Sequence, residues 1–443
     1  MEFDKSTFRI TQSGNTGKIA LIIGVAGLLL SLLGFFVDKS QFLFSWLTSF
    51  TFWVSIGFGG LFFVLIHHMV GAMWSAPIRR ISENVMATLP WMILFVIPIF
   101  IGMSDLYEWV DIGKEASHDV HTEISHDASQ DSHDGHGAEV VEHHNDEMAH
   151  HGDKNSDEHH AHQAHVDLIK TKTGYLNVPF FIVRTLIYFG VWTLLAFVLW
   201  RKSIRQDFDG FHPDQLVGFR KASAPGLIGF AFTVTFAGFD WMMSLFPAWY
   251  STIYGLYYFA GGLMSILAFL AIVTVSLKNS KVLDEVISAE HYHDIGKLMF
   301  AFMVVWAYFA FSQYLLIWYA NIPEETIYYH QRWVGGWKFM SVFIVLGHFL
   351  IPFILLMSRH VKRNQNLLRA FAVWLLAMHW LDLYWNIMPV LHPTNAMPSW
   401  LDLTTMMGIG GIFVFLFWKR LTSHAVVALN DPKLEESINF KNI

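Results

Sequence analysis

Hydrophobic residues in this chain are gathered into long uninterrupted runs instead of alternating with polar ones. Ten runs stand at about residues 18–38, 42–69, 84–106, 177–200, 224–247, 252–277, 297–321, 334–358, 367–390 and 401–418. A bilayer core takes roughly 20 helical residues, and a backbone that crosses it must satisfy its own hydrogen bonds. Each run therefore predicts a membrane-crossing helix, and the fold class expected is an all-α polytopic membrane protein with ten transmembrane helices. This divides the chain into spans 1–3 within residues 1–112, a polar loop at 113–173, spans 4–10 within 174–424 and a tail at 425–443.

The polar residues between the runs set an orientation. Of the 29 Lys and Arg, 21 fall in alternate connecting segments: near the N-terminus, at Arg79 and Arg80, and at 201–221, 278–297, 359–369 and 419–441. Connections rich in Lys and Arg stay in the cytoplasm, so both termini are expected there and the 113–173 loop on the outer side. Trp and Tyr favour membrane–water interfaces and collect at the opposite turns, as Tyr107 with Trp109, Trp249 with Tyr250, Trp318 with Tyr319, and Trp333 with Trp337. The first run, Ile19 to Val37, has no small-residue cleavage site and is long enough to span, so a retained helix is expected. Pro90, Pro98 and Pro352 lie inside runs, where neighbouring helices can re-satisfy the freed carbonyls.

Composition narrows the chemistry. The chain is 54% hydrophobic and 15% charged, with mean hydropathy +0.39, which excludes an ordinary soluble protein. It has no Cys, so no disulfide, thiolate nucleophile, iron–sulfur cluster or Cys-ligated zinc belongs to it. No nucleotide-binding loop or nucleophile triad is present, and nucleic acid is not an expected partner. Residues 113–173 hold 13 His and 14 Asp or Glu with almost no large apolar side chains, the composition of solvated low-complexity chain. The pairs His143–His144, His150–His151 and His159–His160 could collect zinc, copper or nickel, and adventitious binding is expected in preference to a dedicated metal site.

Ionisable residues inside the runs carry the functional signal, because a charge there is costly unless it faces protein or water. Asp240 lies about two-thirds of the way along the fifth run, on a face shared with Gly226, Gly229, Thr233, Ala237 and Ser244. Small residues on that face let another helix approach, so Asp240 is expected to point into protein. The pattern returns in the ninth run. Ser244 and Pro247 follow Asp240 at the same offsets, +4 and +7, as Asn386 and Pro389 follow Asp382, with Trp241 and Trp385 alongside. Parallel repeats place sites at matching depths, which here predicts two four-helix bundles, spans 2–5 and 6–9, with spans 1 and 10 peripheral.

His379, Asp382 and Asn386 share a face of the ninth span, and an imidazole one turn from a carboxyl can relay protons. His67, His68 and Glu83 would form an inner polar set, and Asp105, Glu108, Glu324 and Glu325 an outer one. The plainer reading of both sets is a place at the membrane interface, where charges cost little. Asp240 and Asp382 read either as proton carriers or as acids that hold a neighbouring helix. His348 and His379 fall near mid-membrane on consecutive spans, as a bis-His haem would require, but His348 lacks the flanking glycine spacing that would make room for a porphyrin.

Three stretches carry a family resemblance: HHMVGAMWSAPIRRISENVMATLPWMILFVIPIF (67–100), SAPGLIGFAFTVTFAGFDWMMSLFPAWYSTIYGLYYFAGG (223–262) and FSQYLLIWYANIPEETIYYHQRW (311–333). They resemble the F subunit of bacterial alternative complex III. That family is itself similar to a second polytopic membrane protein of the same complex and to the NrfD-like polysulfide reductase membrane subunits. The likeness covers nearly all of the chain outside 113–173, a loop longer than the family pattern. It implies ten helices in two four-helix bundles and a multi-pass protein of the bacterial inner membrane. It also implies a complex that oxidises quinol and reduces a periplasmic cytochrome c or a terminal oxidase. The implied partners are the homologous polytopic membrane protein, an iron–sulfur subunit and the cytochrome c subunits. The redox centres would lie on other subunits and no cofactor on this chain. Quinol or quinone would be the substrate of the complex, bound foremost in the homologous membrane protein.

Residues and resemblance together predict a subunit with a transmembrane proton path. Asp240, Asp382, His379, Asn386, Ser244 and Asp105 would line it, and His67, His68 and Glu83 would form the cytoplasmic entry. Two rivals stand beside this: a metal- or proton-coupled transporter with a metal-collecting loop, and a purely structural anchor for other subunits.

Overall fold

The computed structural model of the chain describes residues 8–10, 14–114, 163–209 and 213–441. Among these residues there is no strand, and ten helices are long and apolar enough to cross a membrane. They are α1 (Thr16–Val37), α2 (Lys39–Val70), α3 (Arg79–Ile101), α4 (Val178–Phe208), α5 (Asp214–Leu245), α6 (Tyr254–Asn279), α7 (Ala289–Ala320), α8 (Gly336–Leu356), α9 (Gln365–Val390) and α10 (Trp400–Ser423). Every apolar run corresponds to one helix. Three helices outrun the stretch that predicted them: α4 continues to Phe208, α5 starts at Asp214 and α7 at Ala289. The added turns carry Arg, Lys, Asp and His, so hydropathy marks a helix's apolar length and not its hydrogen-bonded length.

α2 and α6 occupy the centre. In each, 83% of the most apolar stretch is buried within the protein, against 22% in α7 and 28% in α1 and α8. They cross at glycines. A Cβ on Gly59 would stand 2.6 Å from the carbonyl oxygen of Gly262, and one on Gly262 would stand 2.4 Å from the Phe58 ring. With no hydrophobic force between helices in lipid, this close backbone approach is what packing rests on. α2 also packs on α3, α5 and α10, and α6 on α7 and α9. α5 lies along α4, and the Trp192 indole N–H donates to Thr233 at 2.9 Å across that contact. α1 lies along α10 through Gly24, Gly27, Gly408 and Gly411.

Local irregularities place the polar groups. Gly71, with φ 59 and ψ 48, closes α2 in the left-handed region and leaves His67 and His68 in the last turn. α3 carries Pro90 and Pro98 and tightens to a 3-10 stretch at Ile93–Val96. In α8 the turn at Val345–Leu350 is a π-helix just before Pro352. Proline has no N–H to return to the carbonyl of His348, four residues earlier, so the hydrogen-bond ladder slips there.

Candidate functional site

Asp240 and Asp382 are both buried, but the protein holds them in different ways. Asp240 is ion-paired with Arg184 of α4, which donates to its two oxygens from Nε at 2.8 Å and Nη2 at 3.0 Å. The Tyr188 hydroxyl donates to the same carboxylate at 2.6 Å. The guanidinium also lies over the rings of Tyr175 (3.8 Å) and Phe180 (4.2 Å) and donates to the Tyr175 carbonyl. Burial and the charge of Asp240 push the Tyr175 hydroxyl above its usual range, so it stays protonated. Ser244, one turn beyond, donates to the main-chain carbonyl of Asp240 and leaves the carboxylate to Arg184 and Tyr188. A two-oxygen grip by a guanidinium on a fully buried carboxylate is a closed arrangement, with the charge already compensated.

Asp382 has neutral partners. The Tyr257 hydroxyl of α6 donates to one oxygen, and the Trp306 indole N–H of α7 donates to the other at 3.1 Å. Among the described residues no cation stands within ion-pair distance of it. Asn386, one turn on, donates to the Tyr257 hydroxyl (3.1 Å) and to the Asp382 carbonyl (2.7 Å). Its own oxygen accepts from Tyr254 (3.2 Å) and Tyr328 (2.7 Å). Tyr328 belongs to a short helix, Pro323–Gln331, between α7 and α8. Burial pushes its hydroxyl up to about 12, with Arg332 opposing, so it is a protonated donor at neutral pH. Arg332 is itself buried, 3.5 Å over the Tyr328 ring, and donates to the carbonyls of Tyr328, Trp385 and Asn386. A polar column thus runs from Asp382 through Tyr257 and Asn386 to Tyr328.

His379 is buried on the same helix, but it turns to α2, with Nε2 3.0 Å from the Ser55 hydroxyl. Gly261 of α6 makes room for its ring, since a Cβ there would stand 2.6 Å from Cε1. No hydrogen bond joins it to Asp382 among the described residues.

The inner set is enclosed by protein. Glu83 is fully buried, 3.1 Å from both Arg79 and Arg80, and accepts from the Ser203 hydroxyl. Arg79 reaches on to Asp431 (2.6 Å) and Gln206 (2.9 Å), and Arg80 to Asp207 (2.9 Å). His67 meets the Ser75 hydroxyl at 2.7 Å, and His68 stacks on Phe219 with ring centroids 4.0 Å apart. The cause is the chain beyond α10. Val426, Val427, Asp431, Leu434 and Ser437 fold back over this end and are buried against it. On α2, the buried Phe58, Leu61, Val64 and Leu65 lie between Ser55 and His67, an apolar gap between the inner set and His379. The outer Asp105 is partly exposed and 2.7 Å from Lys39.

Several residues of the site escaped the sequence reading. Arg184 was legible as a lone cation inside the fourth run. Tyr254 and Tyr257 stand near the start of the sixth run and Tyr328 between the seventh and eighth, and nothing in their spacing distinguishes hydrogen-bonding tyrosines from anchoring ones. Asp402 of α10 is a further buried acid, accepting from Ser45 at 2.6 Å and from the Ser399 main-chain N–H at 2.6 Å as part of a helix cap. Among the described residues no three His, Asp or Glu side chains gather as a metal site. His143, His144, His150, His151, His159 and His160 lie outside the described residues. No protein-family model and no curated protein matches the chain.

Proposed function

We propose that this chain is a membrane subunit of a bacterial quinol:cytochrome c oxidoreductase, without a redox centre of its own, and that Asp382 is its proton-carrying group. The observation that carries the reading is a buried carboxyl held by Tyr257 and Trp306 and continued by Asn386, Tyr254 and Tyr328. A carboxyl with neutral donors can gain and lose a proton without breaking an ion pair. Asp240 cannot do so without stranding Arg184, which assigns it to holding α4 against α5. In this reading α2–α5 and α6–α9 are two bundles, supported by the α2–α3, α2–α5 and α4–α5 contacts in one and the α6–α7 and α6–α9 contacts in the other. Membership of the quinol-oxidising complex rests on the resemblance of residues 67–100, 223–262 and 311–333.

Both termini lie in the cytoplasm in this reading, because the basic residues fall on that side. A periplasmic reporter is expected to be active when fused at Gly152 and silent at Gln365; activity at Gln365 would contradict the ten-span orientation. The complex itself is tested by purifying the tagged chain from its own membranes. An iron–sulfur subunit and c-type cytochromes should accompany it, and the preparation should reduce cytochrome c with quinol. A chain that purifies alone, from membranes that retain quinol oxidation after its deletion, would contradict the assignment.

A further inference from the structure

Among the buried ring nitrogens that have no partner in the described residues, three belong to His348 and His379. His348 is fully buried on the π-turn of α8, and neither its Nδ1 nor its Nε2 meets a hydrogen-bonding group. The Nδ1 of His379 on α9 is also unpartnered. A neutral imidazole carries one N–H donor and one acceptor, and leaving both unmade in a buried site is costly and uncommon. An apolar ring would fill the same space without that cost.

The position of His348 explains what it could do. Its ring lies against Trp306 with centroids 3.8 Å apart, and that indole donates to Asp382. The neighbours of the two histidines in sequence bring α8 and α9 together at this level, since a Cβ on Gly347 would stand 3.0 Å from the Met378 sulfur. π-turns are frequent at functional sites because the widened ladder re-aims a side chain. Buried water sits at polar groups that are otherwise unsatisfied, making two to four hydrogen bonds.

We propose that the open nitrogens of His348 and His379 hold ordered water, and that His348 passes protons through it to and from Asp382. The ring accepts a proton at the nitrogen that lacks one and releases the proton from the other. It returns to a neutral imidazole with its tautomer exchanged, and the proton resides on the Asp382 carboxyl. This rests on the reading of Asp382 as the proton-carrying group.

The test is carried out on the whole complex in sealed vesicles, with His348→Phe, His348→Gln and Asp382→Asn side by side. His348→Phe keeps a ring against Trp306 and removes both nitrogens. It should assemble with a Tm equal to or above that of the unaltered complex. Protons translocated per cytochrome c reduced, beyond the one that quinol oxidation itself releases, should fall at least about fivefold. His348→Gln can bind water but cannot exchange a proton through a ring, so it should lose translocation as well. The inference is overturned if His348→Phe translocates normally. It is equally overturned if His348→Phe fails to assemble while His348→Gln restores both assembly and translocation, the outcome of a structural role. Loss of translocation in Asp382→Asn with normal His348 variants would remove only this inference. Normal translocation in Asp382→Asn would remove the reading beneath it.

Discussion

Replacing Arg184 by leucine is expected to deplete the protein from the membrane. The change strands Asp240, which is fully buried. Breaking a buried pair by removing one partner costs about 3–5 kcal/mol, a large part of the 5–15 kcal/mol that typically separates folded from unfolded chains. The loss should exceed that of Asp240→Asn, because Arg184 can still donate to the Tyr175 carbonyl and lie on the Tyr175 and Phe180 rings. Arg184→Lys should recover only part of the level, since an ammonium cannot grip both oxygens as the guanidinium does. The double change Arg184→Leu with Asp240→Leu should recover most of it, because no unpaired charge is left. Membrane abundance and thermal unfolding in detergent measure all four. Equal abundance of Arg184→Leu and the unaltered chain would mean that water reaches Asp240.

Asp382→Asn is the second large effect, and it acts on function more than on the fold. The amide fills the same space, keeps one acceptor, and turns an N–H toward a group that formerly found an acceptor. The expected stability loss is roughly 1–2 kcal/mol. Asn386, Tyr254 and Tyr328 keep their mutual hydrogen bonds, so the outer half of the site stays assembled. What disappears is the one group of the column that can hold a proton and release it. Protons translocated per turnover, beyond those that quinol oxidation itself releases, should fall at least about tenfold, since a positioned proton-transfer group contributes roughly 10²–10⁴ in rate. Asp240→Asn, by contrast, should lower abundance without changing protons per turnover in the complexes that form.

Much of the fold was legible because lipid imposes a simple rule. Every run of about 20 apolar residues became one helix, and alternation of Lys and Arg could be read without knowing any contact. The burial of Asp240 and Asp382 was also readable, from a carboxyl standing in an apolar run. Their difference was not. The repeat matched Ser244 with Asn386 and Pro247 with Pro389. The deciding partners, Arg184 for one aspartate and Tyr257 with Trp306 for the other, come from other helices that the repeat does not pair. Glu83 looked interfacial because its cover, Arg79 held by Asp431, involves a residue about 350 positions away, in the segment after α10. The π-turn under His348 had a visible cause in Pro352. Its consequence, a ring with no partner, depends on packing alone.

The central claim is that Asp382 carries protons and Asp240 does not. The most direct measurement is proton release into the medium during quinol oxidation by sealed vesicles, for the unaltered complex, Asp382→Asn and Asp240→Asn, each normalised to cytochrome c reduced and taken beyond the one proton per cytochrome c that quinol oxidation itself releases. The expected result is an unchanged ratio for Asp240→Asn and a ratio reduced about tenfold for Asp382→Asn. An unchanged ratio for Asp382→Asn in an assembled, active complex would contradict it.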